Sequence, residues 1–142
     1  MMKNRNIPSD LLYTSNHEWV RIVGDEATIG ITSYAQDYMR GILSMELPEP
    51  GRRVRRNEAI ATVETAKTVL EVFSPLSGLV LQVNLNLVNR PLLIGQDPYG
   101  EGWIAKLKIE NVSEVAELFD ADRYRRYVEE MPEPMNISER NY

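Results

Sequence analysis

Val63-Glu64-Thr65-Ala66-Lys67-Thr68-Val69 is the stretch on which the fold turns. Strand-like runs, residues 59–63 before and 69–73 after, flank the lysine, so Thr65-Ala66-Lys67-Thr68 is expected at the tip of a β-hairpin. Glu64 stands three residues before Lys67, and Ser74-Pro75-Leu76-Ser77 leads to Gly78, eleven residues after it. Most surface lysines are merely solvated. One carried on a rigid turn is badly placed for enclosed catalysis and well placed to offer its amine for modification.

Outward from the hairpin the chain continues as short strands. Residues 18–22 and 26–32 form two, joined by Val23-Gly24-Asp25. Ser33 can cap a short helix over 34–39 that Gly41 ends. Residues 42–47 are apolar and stop at Pro48-Glu49-Pro50-Gly51. Residues 79–83 follow the Pro75 to Gly78 turn, 84–102 make a long connection, and 103–109 return to alternation. The periodicity then becomes helical. Val112, Val115, Ala116 and Phe119 share one face, and Asp120 or Asp122 can cap a second segment aligning Tyr124, Tyr127 and Val128. The expected fold is mainly β with C-terminal helices, a small sandwich or barrel. Residues 1–8 are expected to be a loose N-terminal segment, 9–130 a single domain with helices from about 112, and 131–142 a loose tail.

Composition narrows the function. The 142 residues suit one domain with its own core. No stretch approaches the roughly 18 apolar residues of a membrane span, and the polar N-terminus lacks the centre of a secretory signal. There are no cysteines, which removes disulfides, thiolate nucleophiles and cysteine-bound metals and fits the cytoplasm. The net charge of −5 argues against nucleic acid. The run Arg52-Arg53-Val54-Arg55-Arg56 is either a solvated turn or a docking patch for an acidic partner, since arginine forks suit carboxylates. His17 is the sole histidine; a structural or partner-facing role is expected rather than that of a general base. Gly100-Glu101-Gly102 is a fragment of a dinucleotide fingerprint without its strand-to-helix context, hence a turn.

Many short signatures fall in register over residues 6–130. They are His17-Glu18-Trp19, Gly30-Ile31-Thr32 with Ala35-Gln36, Glu46-Leu47-Pro48 with Gly51, and Glu64-Thr65-Ala66-Lys67. Pro75 with Gly78, Val83-Asn84, Pro91, Pro98-Tyr99, Gly102-Trp103-Ile104, and Asp120-Ala121 with Tyr124 continue the series. In these the chain resembles the H protein of the glycine cleavage system, a lipoyl carrier. The resemblance implies a lipoyl/biotinyl-type β-sandwich (a barrel-sandwich hybrid) with short helices. It implies lipoic acid bound covalently as lipoyl-lysine at Lys67, and lipoylating enzymes that read Glu64 and Gly78. The implied function is that of a non-catalytic shuttle. Its oxidised arm accepts an aminomethyl group from the pyridoxal-phosphate glycine decarboxylase. A tetrahydrofolate-dependent aminomethyltransferase unloads it, and the flavin-containing dihydrolipoyl dehydrogenase reoxidises the dithiol. Glu18 and Glu71 match acidic contacts for the loaded amine.

Physical logic agrees. Acylation removes the ammonium charge, so the arm can lie against apolar surface. The dithiolane supplies sulfur chemistry that a cysteine-free chain lacks. Tethering raises the effective concentration of that sulfur at each partner.

The chain also departs from the family's pattern. Arg40-Gly41-Ile42 replaces a usual Gly-Asp, Thr68 and Leu70 replace small residues, and Gly95 replaces an asparagine. Thr68 and Leu70 could suit a different cargo, as in H-protein-like carriers of sulfur intermediates for a heterodisulfide-reductase-like sulfur-oxidation complex. Biotin acceptors carry methionines beside the lysine, where this chain has Ala66 and Thr68.

Overall fold

A computed structural model describes residues 6–38 and 41–130, the side chains of 36–38 excepted. The expected tail 131–142, the first five residues and the end of the helix at Met39 lie outside the described residues.

Among the described residues nine strands make two sheets: β1 (Leu12–Tyr13), β2 (Glu18–Val23), β3 (Glu26–Ile31), β4 (Ile42–Glu46), β5 (Arg53–Val54), β6 (Ala59–Thr65), β7 (Val69–Phe73), β8 (Gly78–Val83) and β9 (Ala105–Ile109). The larger sheet has the order β1-β2-β3-β9-β8-β5 and the smaller β4-β6-β7, with every pairing antiparallel. Alternation explains the sandwich. On β6 and β7, Val63, Leu70 and Val72 face inward, and Thr62, Glu64, Val69 and Glu71 face out. The inner faces share one core that includes Val20, Ile29, Met45, Ile60, Val63, Val72 and Leu107.

A second cluster seats the C-terminal helix. Asp120 caps α3 (Ala121–Glu129) by accepting from the Arg123 N–H at 2.8 Å. Tyr124 from α3 stacks on Tyr13 with centroids 4.5 Å apart and planes 4° from parallel. Its hydroxyl lies 2.7 Å from His17 Nδ1 and 2.8 Å from Thr32 Oγ1, all buried. His17, with φ of 68°, is therefore a packing residue of this network, as expected of a structural histidine.

Several local expectations need correction. The first C-terminal segment is a 3-10 helix, Val112–Glu117, and Val112 and Ala116 on its supposed apolar face are exposed. Asn111 caps it, and Glu114 fixes it by accepting from the Ser77 N–H (2.8 Å) and Ser77 hydroxyl (2.9 Å). The long connection holds two short helices, α1 (Asn86–Asn89) and α2 (Leu93–Gln96), that bury Leu87, Leu93 and Ile94. Residues 6–8, expected to be loose, are tied down. Ile7 is buried, the Asn6 carbonyl accepts from Tyr99 at 2.6 Å, and that of Pro8 accepts from Tyr13 at 2.5 Å.

Candidate functional site

Lys67 stands exposed at the tip of the β6–β7 hairpin. Thr65 builds the turn. Its Oγ1 accepts from the N–H groups of Lys67 (3.2 Å) and Thr68 (3.1 Å), while its own N–H donates to the Thr68 carbonyl at 2.8 Å. A threonine hydroxyl bonding two residues on is the local device that stabilises such turns. Ala66 N–H donates to the Gly41 carbonyl at 3.1 Å, tying the tip to the start of β4. The lysine backbone is thus fixed while its amine is left to solvent.

The other expected site residues are spread along the hairpin. Glu64 faces outward and accepts from the Ser44 hydroxyl at 3.0 Å. Glu71 is exposed on the same outer face. Leu70 points the other way and packs against the core, while Thr68 is held in the turn by Thr65. Gly78 is not near the lysine tip. It opens β8 in the other sheet, beyond the end of β7 furthest from Lys67. Its φ is not positive, unlike those of Gly24, Gly41 and Gly51 among the described glycines. What excludes a side chain at Gly78 is β9, because a Cβ there would lie 2.3 Å from the Lys108 carbonyl oxygen.

Glu18 is the residue most changed by the tertiary structure. It is 2% exposed, at the junction between sheets. One carboxylate oxygen accepts from the Thr14 hydroxyl at 2.7 Å and the other from the Phe73 N–H at 3.1 Å, on the free edge of β7. Both bonds favour the anion, yet burial outweighs them and pushes the carboxyl up to about 7. No cation pairs with it among the described residues. Sequence showed the acid but not its burial.

The arginine run is largely engaged inside the chain. Arg52 pairs with Glu58 at 2.9 Å, Arg53 with Glu110 and Arg56 with Glu117, which ties β5 to the end of β9 and to the 3-10 helix. The Arg55 N–H donates to Glu58 at 2.9 Å. Among the described residues no group of three or more His, Cys, Asp or Glu could hold a metal, and no helix is long and apolar enough to cross a membrane.

The family profile described as glycine cleavage H-protein matches residues 11–131. The chain belongs to that family. It is 46% identical to the glycine cleavage system H protein of Symbiobacterium thermophilum over 125 residues, covering 88% of this chain and 98% of that one. Against a glycine cleavage system H protein of Thermus thermophilus the identity is 45%, covering 87% and 97%. The crystal structure of a glycine cleavage system H protein from Mycobacterium marinum superposes with a TM-score of 0.74 at 34% identity, covering 84% of this chain and 97% of that one. The two-sheet architecture is therefore the lipoyl-type sandwich of H proteins, as the sequence implied. Against that family fold, Lys67 occupies a hairpin tip whose turn is held by Thr65 and the Gly41 carbonyl.

Proposed function

We propose that this H-protein-family chain is a non-catalytic cytoplasmic carrier, lipoylated on Lys67, that moves the aminomethyl group of glycine between the enzymes of glycine cleavage. The observation that carries the reading is an exposed amine on a turn locked by Thr65 and Gly41, in a chain of this family. When bound, the lipoyl group supplies the disulfide and dithiol chemistry that transfers and releases the cargo.

The chain's own residues anchor, release and receive the arm. Thr65 holds the root, so flexibility is confined to the side chain and the arm beyond it. Glu64, on the outer face next to the tip, is the acid offered to a lipoylating enzyme, while Gly78, beyond the far end of β7, keeps β8 against β9. Glu71 on the outer face of β7 and Glu18 at that strand's far end are the acids that would face a lipoyl arm laid along the strand. Glu18 there is a buried carboxylate without a counter-ion among the described residues, so an ammonium cargo would offset the free energy that burial adds to its anion. The partners in this reading are a lipoylating enzyme, glycine decarboxylase, the aminomethyltransferase and dihydrolipoyl dehydrogenase.

Intact and peptide mass, followed by an aminomethyl-loading assay with glycine decarboxylase, tests it. One lipoyl adduct on Lys67 that takes up the cargo is expected. An adduct that is never loaded would refute the glycine pathway and favour the sulfur-oxidation carrier. No adduct in cells that lipoylate other proteins would refute the carrier role.

A further inference from the structure

From Val72 to Gln96 the chain has no carboxylate and a single formal charge, Arg90, although the whole protein carries 21 acids and a net charge of −5. Within that stretch the core takes Leu87, Leu93 and Ile94, but Leu85, Val88 and Leu92 are each more than half exposed. Leu85 and Val88 lie one turn apart in and beside α1, and Leu92 immediately precedes α2. α1 packs beside β4, where Leu43 is also more than half exposed. Two residues before Leu43, the Gly41 carbonyl holds Ala66 in the turn of Lys67. Single exposed leucines are ordinary, whereas four exposed aliphatic residues in one neighbourhood that leads to the arm's root mark a contact surface.

Resting on the carrier reading above, we propose that Leu43, Leu85, Val88 and Leu92, with Arg90 among them, dock a client enzyme through an apolar ridge bearing a carboxylate opposite Arg90. Charge selects this occupant. Arg90 makes no ion pair among the described residues, so a partner's acid meets an available guanidinium. A second copy joined by the same patch would bring a second Arg90 and no carboxylate from residues 72–96, because a two-fold interface repeats one surface on both subunits. A lipid surface is disfavoured because the chain's net negative charge is repelled by anionic headgroups. Continuity with the hairpin explains the position: an enzyme that draws in the Lys67 arm must also cover the ground beside its root.

The test uses the lipoylated full chain with each of the three purified glycine cleavage enzymes, and reads the KM for the carrier separately from kcat. The double variant Val88→Ser, Leu92→Ser and the single variant Arg90→Glu should each raise KM about tenfold or more for at least one enzyme, with kcat kept, since buried interface anchors carry effects of that size. Val112→Ser, an exposed apolar residue outside the patch, should leave every KM unchanged. Unchanged KM values for all three enzymes would overturn the docking assignment while wild-type turnover leaves the carrier reading standing. A wild-type dimer that Val88→Ser dissociates, or binding to anionic phosphatidylserine vesicles lost in the double variant, would overturn it in favour of those occupants. Wild-type protein that none of the three enzymes turns over would refute the glycine pathway, and this assignment with it.

Discussion

Glu18→Gln separates the burial of this side chain from its hydrogen bonds. The amide keeps an oxygen for the Phe73 N–H and meets the Thr14 hydroxyl with its NH2, so shape and bonding are nearly conserved. What is lost is the charge. Burial moves the carboxyl from its ordinary 4.5 to about 7. At 1.36 kcal/mol for each factor of ten in the ionisation constant, that corresponds to about 3 kcal/mol. Because the folded state holds the proton more tightly, it binds more protons than the unfolded chain between pH 4.5 and 7. The wild-type protein therefore loses stability as pH rises through this window, is level above it, and is relieved below it. The Gln variant lacks this dependence. Urea unfolding of both proteins from pH 4 to 8.5 should show the variant gaining about 3 kcal/mol relative to wild type across the window. Groups common to both proteins cancel in the difference. A difference that stays constant would show that Glu18 titrates normally. One that runs the other way would show that Thr14 and Phe73, not burial, govern it.

Three further outcomes follow from the same geometry. Lys67→Arg should abolish lipoylation, read by intact mass, and change unfolding free energy by less than about 0.5 kcal/mol, since the side chain is exposed; a large loss would contradict the hairpin tip. Gly78→Ala drives a methyl into the Lys108 carbonyl and should destabilise the fold by roughly 1–3 kcal/mol in chemical denaturation, with an unchanged midpoint refuting the close contact. Tyr124→Phe leaves His17 and Thr32 without their shared buried partner and should lower stability by about 1–3 kcal/mol; a smaller effect in thermal melts would mean that water substitutes for the hydroxyl.

How much of this was legible in the sequence depended on the range of the interaction. β7 was bounded correctly at Val69–Phe73 because alternation over five residues between turn signals is a local pattern. β1 and β5 were missed, since two-residue strands have no periodicity of their own and exist only because β2 and β8 accept their hydrogen bonds. The Asp120 cap was readable for the same reason that β7 was, as its partner is three residues away.

The sequence by itself determined the hairpin, its exposed lysine, the absence of any thiol and the family, because each rests on residue types at fixed short spacings. Only the tertiary structure decided what distant residues do to one another. It buried the Glu18 carboxylate at the edge of β7. It made Gly78 a steric requirement of β9, and bound Arg52, Arg53 and Arg56 to Glu58, Glu110 and Glu117. Burial, close approach and ion pairing depend on which strands lie side by side, and no spacing along one chain states that.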